Sequence, residues 1–459
     1  KTSDTASPEN REQGLMYLLA LAFPGRGYNF TEPVIVPKYA LYRNGRLYYN
    51  FTDYEQFLTP GRPTVGITSW MALTWERGDL LMLDRLISEM ESRGINVIAT
   101  IAQGNPVDGT PVINAMRSYF FDSQNRTRIQ GLITLQSFKI GGATAAIAER
   151  MIMDNNILVF RSLVVSDSEE TWYISDSGMD FTSITSQIVL PEFQGQILTM
   201  VTASTRKTID TVTGLEVECY QPIDERVETF ADRVYSWLRL RFLSNADKKV
   251  ALIYYNYPPG KQNLAGASYL DGPSSILEIL GLLQENNYTV RGAPSCVDDL
   301  LTEMMARGLN IANWAPGELE RLANSTILWD VERYMEWYSR LPELARREIE
   351  EGPFGYIEAL FRYSTENPKL LETLDRWQSS LITTIDDMQI SNGSEAKNQV
   401  NRAYNALKNI YSGLNQWDVF YSAKSAFLAL RVPGLCGWGA PPGNIMTVER
   451  NGKRYLVIP

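Results

Sequence analysis

The side chains best suited to contact a ligand lie in one loop of the sequence. Residues 250–255 before it are uncharged and rich in β-forming types, which predicts a buried strand, and residues 275–286 after it have the apolar spacing of a helix. Open α/β sheets bind ligands at the carboxyl ends of their strands, where this loop lies. The candidate ligand-binding residues are Tyr257, Lys261, Asn263, Tyr269 and Asp271. A surface loop without a ligand is the alternative.

Two glycine-containing segments resemble phosphate-binding loops only in part. Gly260-Lys261 follows the predicted strand, but a phosphate loop needs a glycine five residues before that glycine and a Ser or Thr after the lysine. Tyr255 and Gln262 stand at those places, so we reject this interpretation. The pair Gly141-Gly142 lacks the remaining spacing, and a tight turn explains it better.

The sequence contains no histidine. This removes the commonest general acid/base, the commonest transition-metal ligand and every histidine-based triad. The three cysteines, Cys219, Cys296 and Cys436, have no zinc-site spacing, and we expect buried thiols, with one disulfide as the alternative. We therefore predict no catalytic residues and no metal site.

The composition indicates a folded, acidic protein. The 459 residues carry a net charge of −10, which argues against a nucleic-acid partner. No apolar run approaches the roughly 18 residues of a membrane-spanning helix, so we expect no transmembrane segment. The longest run, 15–23, follows acidic residues and not a positive region, which favours a core helix over a signal peptide.

Six Asn-X-Ser/Thr sequons are present. They are candidate glycosylation sites and lie at Asn29, Asn50, Asn125, Asn287, Asn324 and Asn392. Together with the many Tyr, Trp, Asn and Thr residues, they indicate an extracellular or cell-surface protein, with a cytoplasmic protein as the alternative.

The element pattern predicts an α/β fold with two Rossmann-like parallel-sheet regions and an inserted helical subdomain. Strands over 64–70, 95–101, 129–135 and 156–163 alternate with helices such as 79–92, which is typical of parallel sheets. The predicted domains are a helix and hairpin over 1–62, an α/β domain over 63–221, a linker helix over 222–247, a second α/β domain over 248–328, a helical insertion over 329–432 and a C-terminal hairpin segment over 433–459.

Turn-forming residues and apolar periodicity predict two β-hairpins and a helical hairpin. Asn44-Gly45 and Asn451-Gly452 each predict a β-hairpin. Apolar and aromatic residues recur at helical spacing over 334–341, 374–388 and 400–414, and Asn392-Gly393 separates the last two stripes. An antiparallel helical hairpin follows, whose aromatic residues we expect to be packed in a core.

Several motifs resemble those of the family formed by the cobaltochelatase large subunit, CobN, and the H subunit of magnesium chelatase. They occupy 90–97, 191–195, 251–261, 271–275 and 438–443. Leu341-Pro342-Glu343 and Trp438-Gly439 match motifs that adjoin in the family, so 352–437 resembles an insertion. The family's usual histidine and aspartate are replaced by Arg43 and Gln194. The resemblance covers only the N-terminal part of the family.

The resemblance implies a large subunit that binds a tetrapyrrole and a metal ion while separate AAA+ partners hydrolyse ATP. Its His- and Glu-bearing site lies in a part of the family beyond this match. Our leading hypothesis is therefore a non-catalytic relative without a cofactor, a secreted or cell-surface structural protein that associates with itself or with other surface proteins. The first alternative is part of a chelatase working with AAA+ ATPase subunits. The second is a module for a tetrapyrrole or corrinoid bound at the loop 257–271, with Tyr and Trp rings stacked on the macrocycle.

Overall fold

The computed structural model describes residues 8–71, 74–104, 107–175, 177–258, 261–307, 317–324, 326–363, 366–443 and 445–458. The chain divides into two compact units, Lys1–Phe242 and Leu243–Pro459, which are described separately.

The first unit contains one sheet of eight strands. The strands are β1 (Tyr39–Arg43), β2 (Arg46–Tyr48), β3 (Thr64–Trp70), β4 (Asn96–Ala102), β5 (Gly131–Thr134), β6 (Leu158–Val164), β7 (Leu198–Ile209) and β8 (Glu216–Pro222). Their order across the sheet is β2-β1-β4-β3-β5-β6-β7-β8. The five strands from β4 to β7 in this order are parallel, and β1 and β8 pair antiparallel at either side.

Helices cover both faces of this sheet. The helices of the unit are α1 (Pro8–Ala22), α2 (Phe51–Glu55), α3 (Leu81–Ser92), α4 (Thr110–Ala115), α5 (Ala145–Asp154), α6 (Glu169–Ile174), α7 (Phe181–Ile184), α8 (Leu190–Glu192) and α9 (Asp224–Arg239). In β4, Val97 and Ile101 pack with α3 and α9, whereas Ile98 packs with α2, α4 and α5. Because side chains alternate along a strand, these are opposite faces. The predicted α/β fold is confirmed.

The helix expected to link two sheets packs on this one. In α9, Val227, Phe230, Val234 and Leu238 are buried in the same core as the apolar face of α3. Its charged first turn, Asp224-Glu225, suits a helix amino terminus. The helix therefore forms one layer of the first unit.

The hairpin signal at Asn44-Gly45 is confirmed. Leu41 pairs with Tyr48 and Arg43 with Arg46 across β1 and β2. Asn44 and Gly45 both have positive φ, 47° and 74°, which is the geometry that a two-residue type I′ turn requires.

The expectation of a core helix at 15–23 is wrong in one respect. The helix forms as α1, but Leu15, Leu18 and Leu21 are 62%, 59% and 60% exposed. Apolar residues surround the second half of this helix, so no single face can bury all of them. Its described attachments include polar ones, since the Asn10 amide pairs with the Val34 backbone and Gln13 accepts from the Thr31 N–H. Tyr17 also packs edge-on against Phe30, with 5.0 Å between ring centres.

The second unit is mainly helical. Its helices are α10 (Gly272–Glu285), α11 (Val297–Arg307), α12 (Glu318–Ala323), α13 (Val331–Ser339), α14 (Glu343–Tyr363), α15 (Lys369–Met388), α16 (Gly393–Tyr411) and α17 (Trp417–Ala429). Its strands are β9 (Ile327–Asp330), β10 (Thr447–Arg450) and β11 (Lys453–Ile458), which form an antiparallel sheet in the order β10-β11-β9.

The helical hairpin and the C-terminal hairpin are both confirmed. Trp377, Leu381 and Ile385 of α15 are buried, as are Val400 and Leu407 of α16. Asn451 and Gly452 join β10 to β11 with positive φ. The aliphatic residues of these stripes are therefore largely core. The expectation of a packed aromatic core holds only for Tyr338 and Trp377, because Trp337 is 53% exposed and the other aromatic rings of the stripes are partly exposed.

The strands predicted over 250–255 and 288–290 are not formed. Residue 256 makes an isolated bridge with Leu264, but no strand of the described chain pairs with either segment. Val250, Ile253 and Tyr255 are exposed as a result. The residue types suit a strand, but strand formation also needs a neighbouring strand that supplies hydrogen bonds. The neighbouring helix does form, as α10.

Candidate functional site

The strand order points to one edge of the eight-stranded sheet. The parallel strands β3 to β7, taken in chain order, lie as 2-1-3-4-5 across the sheet. The chain runs outward from β3 to β4 on one side and then continues at β5 on the other side. In such sheets ligands bind outside the carboxyl ends of the two strands where the order reverses. Here these are the ends of β3 and β5, after Trp70 and Thr134.

A cavity of about 50 Å³ lies at this edge. Its lining comes from the ends of β3 and β6, the loops after β3 and β5, helix α3, the segment after α7 and strand β8. The lining residues are Ser69, Trp70, Thr74, Asp79, Met82, Leu83, Leu135, Ser137, Val164, Gln187 and Tyr220. A volume of this size accommodates water molecules or one small polar group. We call it the crevice.

Asp79 supplies the charge in the crevice. Its side chain is buried, and Oδ2 accepts a hydrogen bond of 2.9 Å from the Tyr220 N–H. Burial raises the pKa of Asp79, although that hydrogen bond and Arg77 oppose the increase. Arg77 also lies over the Tyr220 ring at 5.7 Å from its centre. The site therefore holds a carboxyl group that takes up a proton more readily than an exposed aspartate.

Two glutamine side chains fix the backbone at this edge. Gln194 accepts from the Ile140 N–H at 2.8 Å and donates to the Ile140 carbonyl at 2.9 Å. Gln187 makes the same paired contact with Val164, at 3.0 and 2.8 Å. Each amide both donates and accepts, which a carboxylate cannot do. The turn 137–142 and the end of β6 are thereby held in place.

A buried cation lies beneath the same turn. Arg161 of β6 is only 1% exposed, and its guanidinium donates to the Gln136 carbonyl and, at 2.8 Å, to Gln196 Oε1. Burial lowers the pKa of Arg161 to about 10. Arg161 Nε and Gln136 Oε1 are buried without a hydrogen-bond partner in the described chain. A bound water could satisfy both atoms, because one needs an acceptor and the other a donor.

The predicted ligand loop lies in the second unit, where its residues have different roles. Asp271 caps α10, since its carboxylate accepts from the Ser274 N–H and hydroxyl at 3.0 and 2.7 Å. Asn263 donates to the Pro258 carbonyl at 2.6 Å. Tyr257 and Tyr269 are exposed, and Lys261 begins a short 3₁₀ turn. Asp271 and Asn263 thus stabilise the loop itself, while ligand binding by this loop stays a prediction.

The sequence alone does not identify most of the crevice residues, and the structure shows why. Tyr220 lies in β8, a polar edge strand that has no apolar run, and Asp79 coincides with the start of a predicted helix. Ser69 and Ser137 could have been found, because each lies at the carboxyl end of a predicted strand.

The remaining site predictions concern cysteines, sequons and metals. All three cysteines are free, so the disulfide alternative is wrong. The expectation of buried thiols is also wrong, because Cys296 is exposed and Cys219 and Cys436 are partly exposed. Five sequon asparagines are exposed, whereas the Asn392 amide is half-buried and donates to the Leu430 carbonyl. Over the described ranges, no three His, Cys, Asp or Glu side chains are grouped as metal ligands. No helix in the same ranges is long and apolar enough to cross a bilayer.

Comparisons with known proteins give a consistent result. The family model described as CobN/Magnesium Chelatase matches residues 3–366. The aerobic cobaltochelatase subunit CobN of Pseudomonas aeruginosa is 24% identical over 332 residues, which cover 71% of this chain and 25% of the relative. The magnesium-chelatase H subunit of Chlorobaculum parvum is 28% identical over 297 residues, which cover 60% of this chain and 21% of the relative.

A solved structure shares the fold. The catalytic subunit of cobaltochelatase from Mycobacterium tuberculosis matches with a TM-score of 0.55 at 19% identity, over 76% of this chain and 27% of that one. The chain therefore spans about a quarter of the length of the relatives it matches.

Proposed function

The chain belongs to the CobN/magnesium chelatase family, and on this premise we propose that it acts as part of a chelatase large subunit. The reaction inserts a divalent metal ion into a tetrapyrrole and releases two pyrrole N–H protons. Separate AAA+ partners hydrolyse ATP for it. The tetrapyrrole and the metal ion are substrates, and the need for ATP favours the cytoplasm as the location.

The observation that carries this proposal is the continuous family match over residues 3–366. It includes the entire eight-stranded sheet with the crevice, and it extends through α10, α11 and all of α14. A family resemblance confined to one loop would be compatible with many functions. A match through both units instead favours a chain that keeps the family's architecture and role.

The two replaced motif residues do not weaken the proposal. Arg43 makes a bidentate ion pair with Glu91 and lies 4.6 Å from the centre of the Phe57 ring. Gln194 fixes the turn at Ile140. Both side chains make contacts that stabilise the fold, so each replacement is accommodated locally.

The hypothesis of a non-catalytic, secreted or cell-surface protein receives no support from the comparisons. It depended on the family's His/Glu site lying beyond the match, and also on the sequons, the lack of histidine and the altered motifs. None of the relatives named above is described as a surface or structural protein. The chelatase alternative therefore becomes the proposal, and the tetrapyrrole-binding module is part of it.

Native co-isolation tests the proposal. An affinity tag on the chain, followed by gentle isolation from its source cells with ATP and Mg²⁺, should recover an AAA+ ATPase partner and polypeptide that carries the family's His/Glu motif. Isolation without nucleotide is the control, and should lower the ATPase yield. Recovery of the chain without an ATPase or a His/Glu-bearing polypeptide would reject the chelatase proposal. Recovery as several associated copies of the chain would in addition support the self-assembly hypothesis.

A further inference from the structure

A second and larger cavity lies in the first unit, apart from the residues of the crevice. Its volume is about 350 Å³, within the size range of small-molecule sites. It is lined by Glu9, Val34, Ile35, Val36, Arg46, Leu47, Tyr49 and Trp75. We call it the Trp75 cavity.

The walls of the Trp75 cavity are held by specific contacts. Asn10 of α1 bonds to Val34 in both directions, at 2.6 and 2.9 Å, which fixes the segment 34–36 beside the helix. The Trp75 ring packs edge-on against Tyr42, with 6.5 Å between ring centres. Tyr42 is anchored in turn by a 2.7 Å hydrogen bond to Asp84. The indole wall is therefore preformed.

The lining is chiefly apolar and aromatic, and much of it is open to solvent. Val34, Ile35 and Tyr49 are 67%, 76% and 53% exposed. Exposed apolar side chains around a concave surface are typical of a ligand site, because a bound apolar group removes them from water. Tyr49 and Trp75 add ring faces on which a flat ligand can stack.

Two donors in the lining lack partners. Trp75 Nε1 is buried and has no hydrogen-bond acceptor in the described chain. The Arg46 guanidinium is exposed at the end of β2, and no ion pair or side-chain hydrogen bond involves it over the described ranges. An indole N–H needs an acceptor when it is buried, and a guanidinium pairs well with a carboxylate. Glu9, also in the lining, could accept an N–H from a ligand.

We propose that the Trp75 cavity binds a flat, apolar ring system that carries a carboxylate. The ring lies against Trp75 and Tyr49, the carboxylate pairs with Arg46, and a ligand oxygen accepts from Trp75 Nε1. A tetrapyrrole carboxylic acid has this chemistry, and naming it as the ligand rests on the proposed chelatase function.

Equilibrium binding to variants tests the inference. Metal-free uroporphyrin, a soluble porphyrin with carboxylate side chains, is titrated against the whole chain and followed through the porphyrin absorption band. We expect Arg46→Gln to weaken binding about five- to twentyfold, because it removes one charge-assisted contact. Trp75→Phe should weaken it about three- to tenfold, because the ring wall stays while the N–H is lost.

Matched controls separate the cavity from the rest of the surface. Arg206→Gln and Trp237→Phe change exposed or half-exposed side chains of the same unit outside the cavity and should leave the binding constant unchanged. Circular dichroism of each variant confirms that the fold is retained. Equal binding by the wild type and both cavity variants would overturn the cavity assignment while leaving the chelatase proposal intact.

A second probe separates the assignment of the Trp75 cavity as a binding site from the assignment of a tetrapyrrole as its ligand. Anilinonaphthalene sulfonate is a smaller aromatic acid that needs no tetrapyrrole-specific site. Binding of this probe that depends on Arg46 and Trp75, with no uroporphyrin binding, would support the cavity and reject its tetrapyrrole ligand. Binding of neither probe would overturn the inference.

Discussion

At the scale of single residues, the structure explains why Gln194 stands where the family usually has an aspartate. Its amide donates to the Ile140 carbonyl and accepts from the Ile140 N–H, and its oxygen also accepts from Gln196 at 2.6 Å. A carboxylate has no hydrogen to donate. The replacement therefore adds a contact that positions the turn beside the crevice.

Gln194→Glu should destabilise the first unit by about 1–3 kcal/mol at pH 7.5, because the Ile140 carbonyl then faces a carboxylate and not an N–H donor. The new carboxyl should have a raised pKa in the folded state, since its charged form is disfavoured. The loss is therefore present above that pKa and shrinks as pH falls towards about 4, the range of the unfolded group. Denaturant titrations across this pH range measure it.

Gln124→Glu is the control for this prediction, because the Gln124 side chain is exposed. It should change the denaturation midpoint little at any pH. An equal loss in both variants, or a loss at Gln194 that does not vary with pH, would contradict the paired-contact explanation.

The sequence can predict candidate ligand residues only where they follow one another along the chain. Asp271 stands out as a polar residue before a predicted helix, and the structure shows it to be the cap of that helix. The Tyr220 backbone N–H donates to the Asp79 carboxylate, although the two residues are 141 positions apart in the sequence. Arg46 and Trp75 share a cavity only after α1, β2 and the loop after β3 have assembled. Such groupings depend on tertiary packing, which sequence spacing does not contain.

At the scale of elements, the two ends of the segment that resembles an insertion meet. Helix α14 is interrupted at Gly352, where φ is 62° and ψ is −149°, and Pro353 follows. Beside this kink, the Trp438 N–H donates to the Ile349 carbonyl at 2.7 Å. The Gly439 N–H donates to the Glu350 carbonyl at 2.9 Å. The first and last residues of the helical segment 352–437 therefore lie next to each other.

Gly437→Ala should destabilise the second unit by at least about 3 kcal/mol. An added Cβ would lie 2.5 Å from Gly352 N and 2.6 Å from Glu351 N, and backbone atoms cannot move aside as a flexible side chain can. Gly434→Ala is matched, because Gly434 also has a positive φ, 74°, but nothing lies within 4 Å of its added Cβ. It should cost about 1 kcal/mol through backbone strain alone.

Chemical denaturation of the two variants measures this difference. Equal losses would show that the close approach of the chain at Gly352 and Gly437 does not hold in solution. A larger loss of stability for Gly437→Ala than for Gly434→Ala would support the contact between the two ends of the helical segment 352–437.

Periodic elements are predictable from the sequence, and elements that depend on partners are not. Strands β3 to β6 and helix α3 have strong apolar patterns, and both Asn-Gly hairpins have a specific turn requirement. Residues 250–255 have the composition of a strand but no neighbour that completes a ladder in the described chain. Strand β8 pairs with β7 although its outward positions are exposed and polar. Pairing, and not residue type, decides these two cases.

At the scale of the whole molecule, the chain combines a family architecture with extensive exposed apolar surface. It spans about a quarter of the length of its relatives. Leu15, Leu18 and Leu21 on α1 are exposed in the first unit, and Ile253 is 94% exposed in the second. Apolar surface of this extent is typical of interaction sites. The proposed role in a larger chelatase assembly would need such surface.

A metal-insertion assay tests the central claim most directly. Extract from the source cells is supplied with ATP and with metal-free porphyrin or corrinoid, together with Mg²⁺ or Co²⁺, and insertion is followed by the change in absorption. One half of the extract is first depleted with an antibody against this chain, and the other half with a control antibody. Our account predicts that depletion abolishes ATP-dependent insertion of one metal and that the eluted native material restores it. Undiminished insertion after complete depletion would contradict the account.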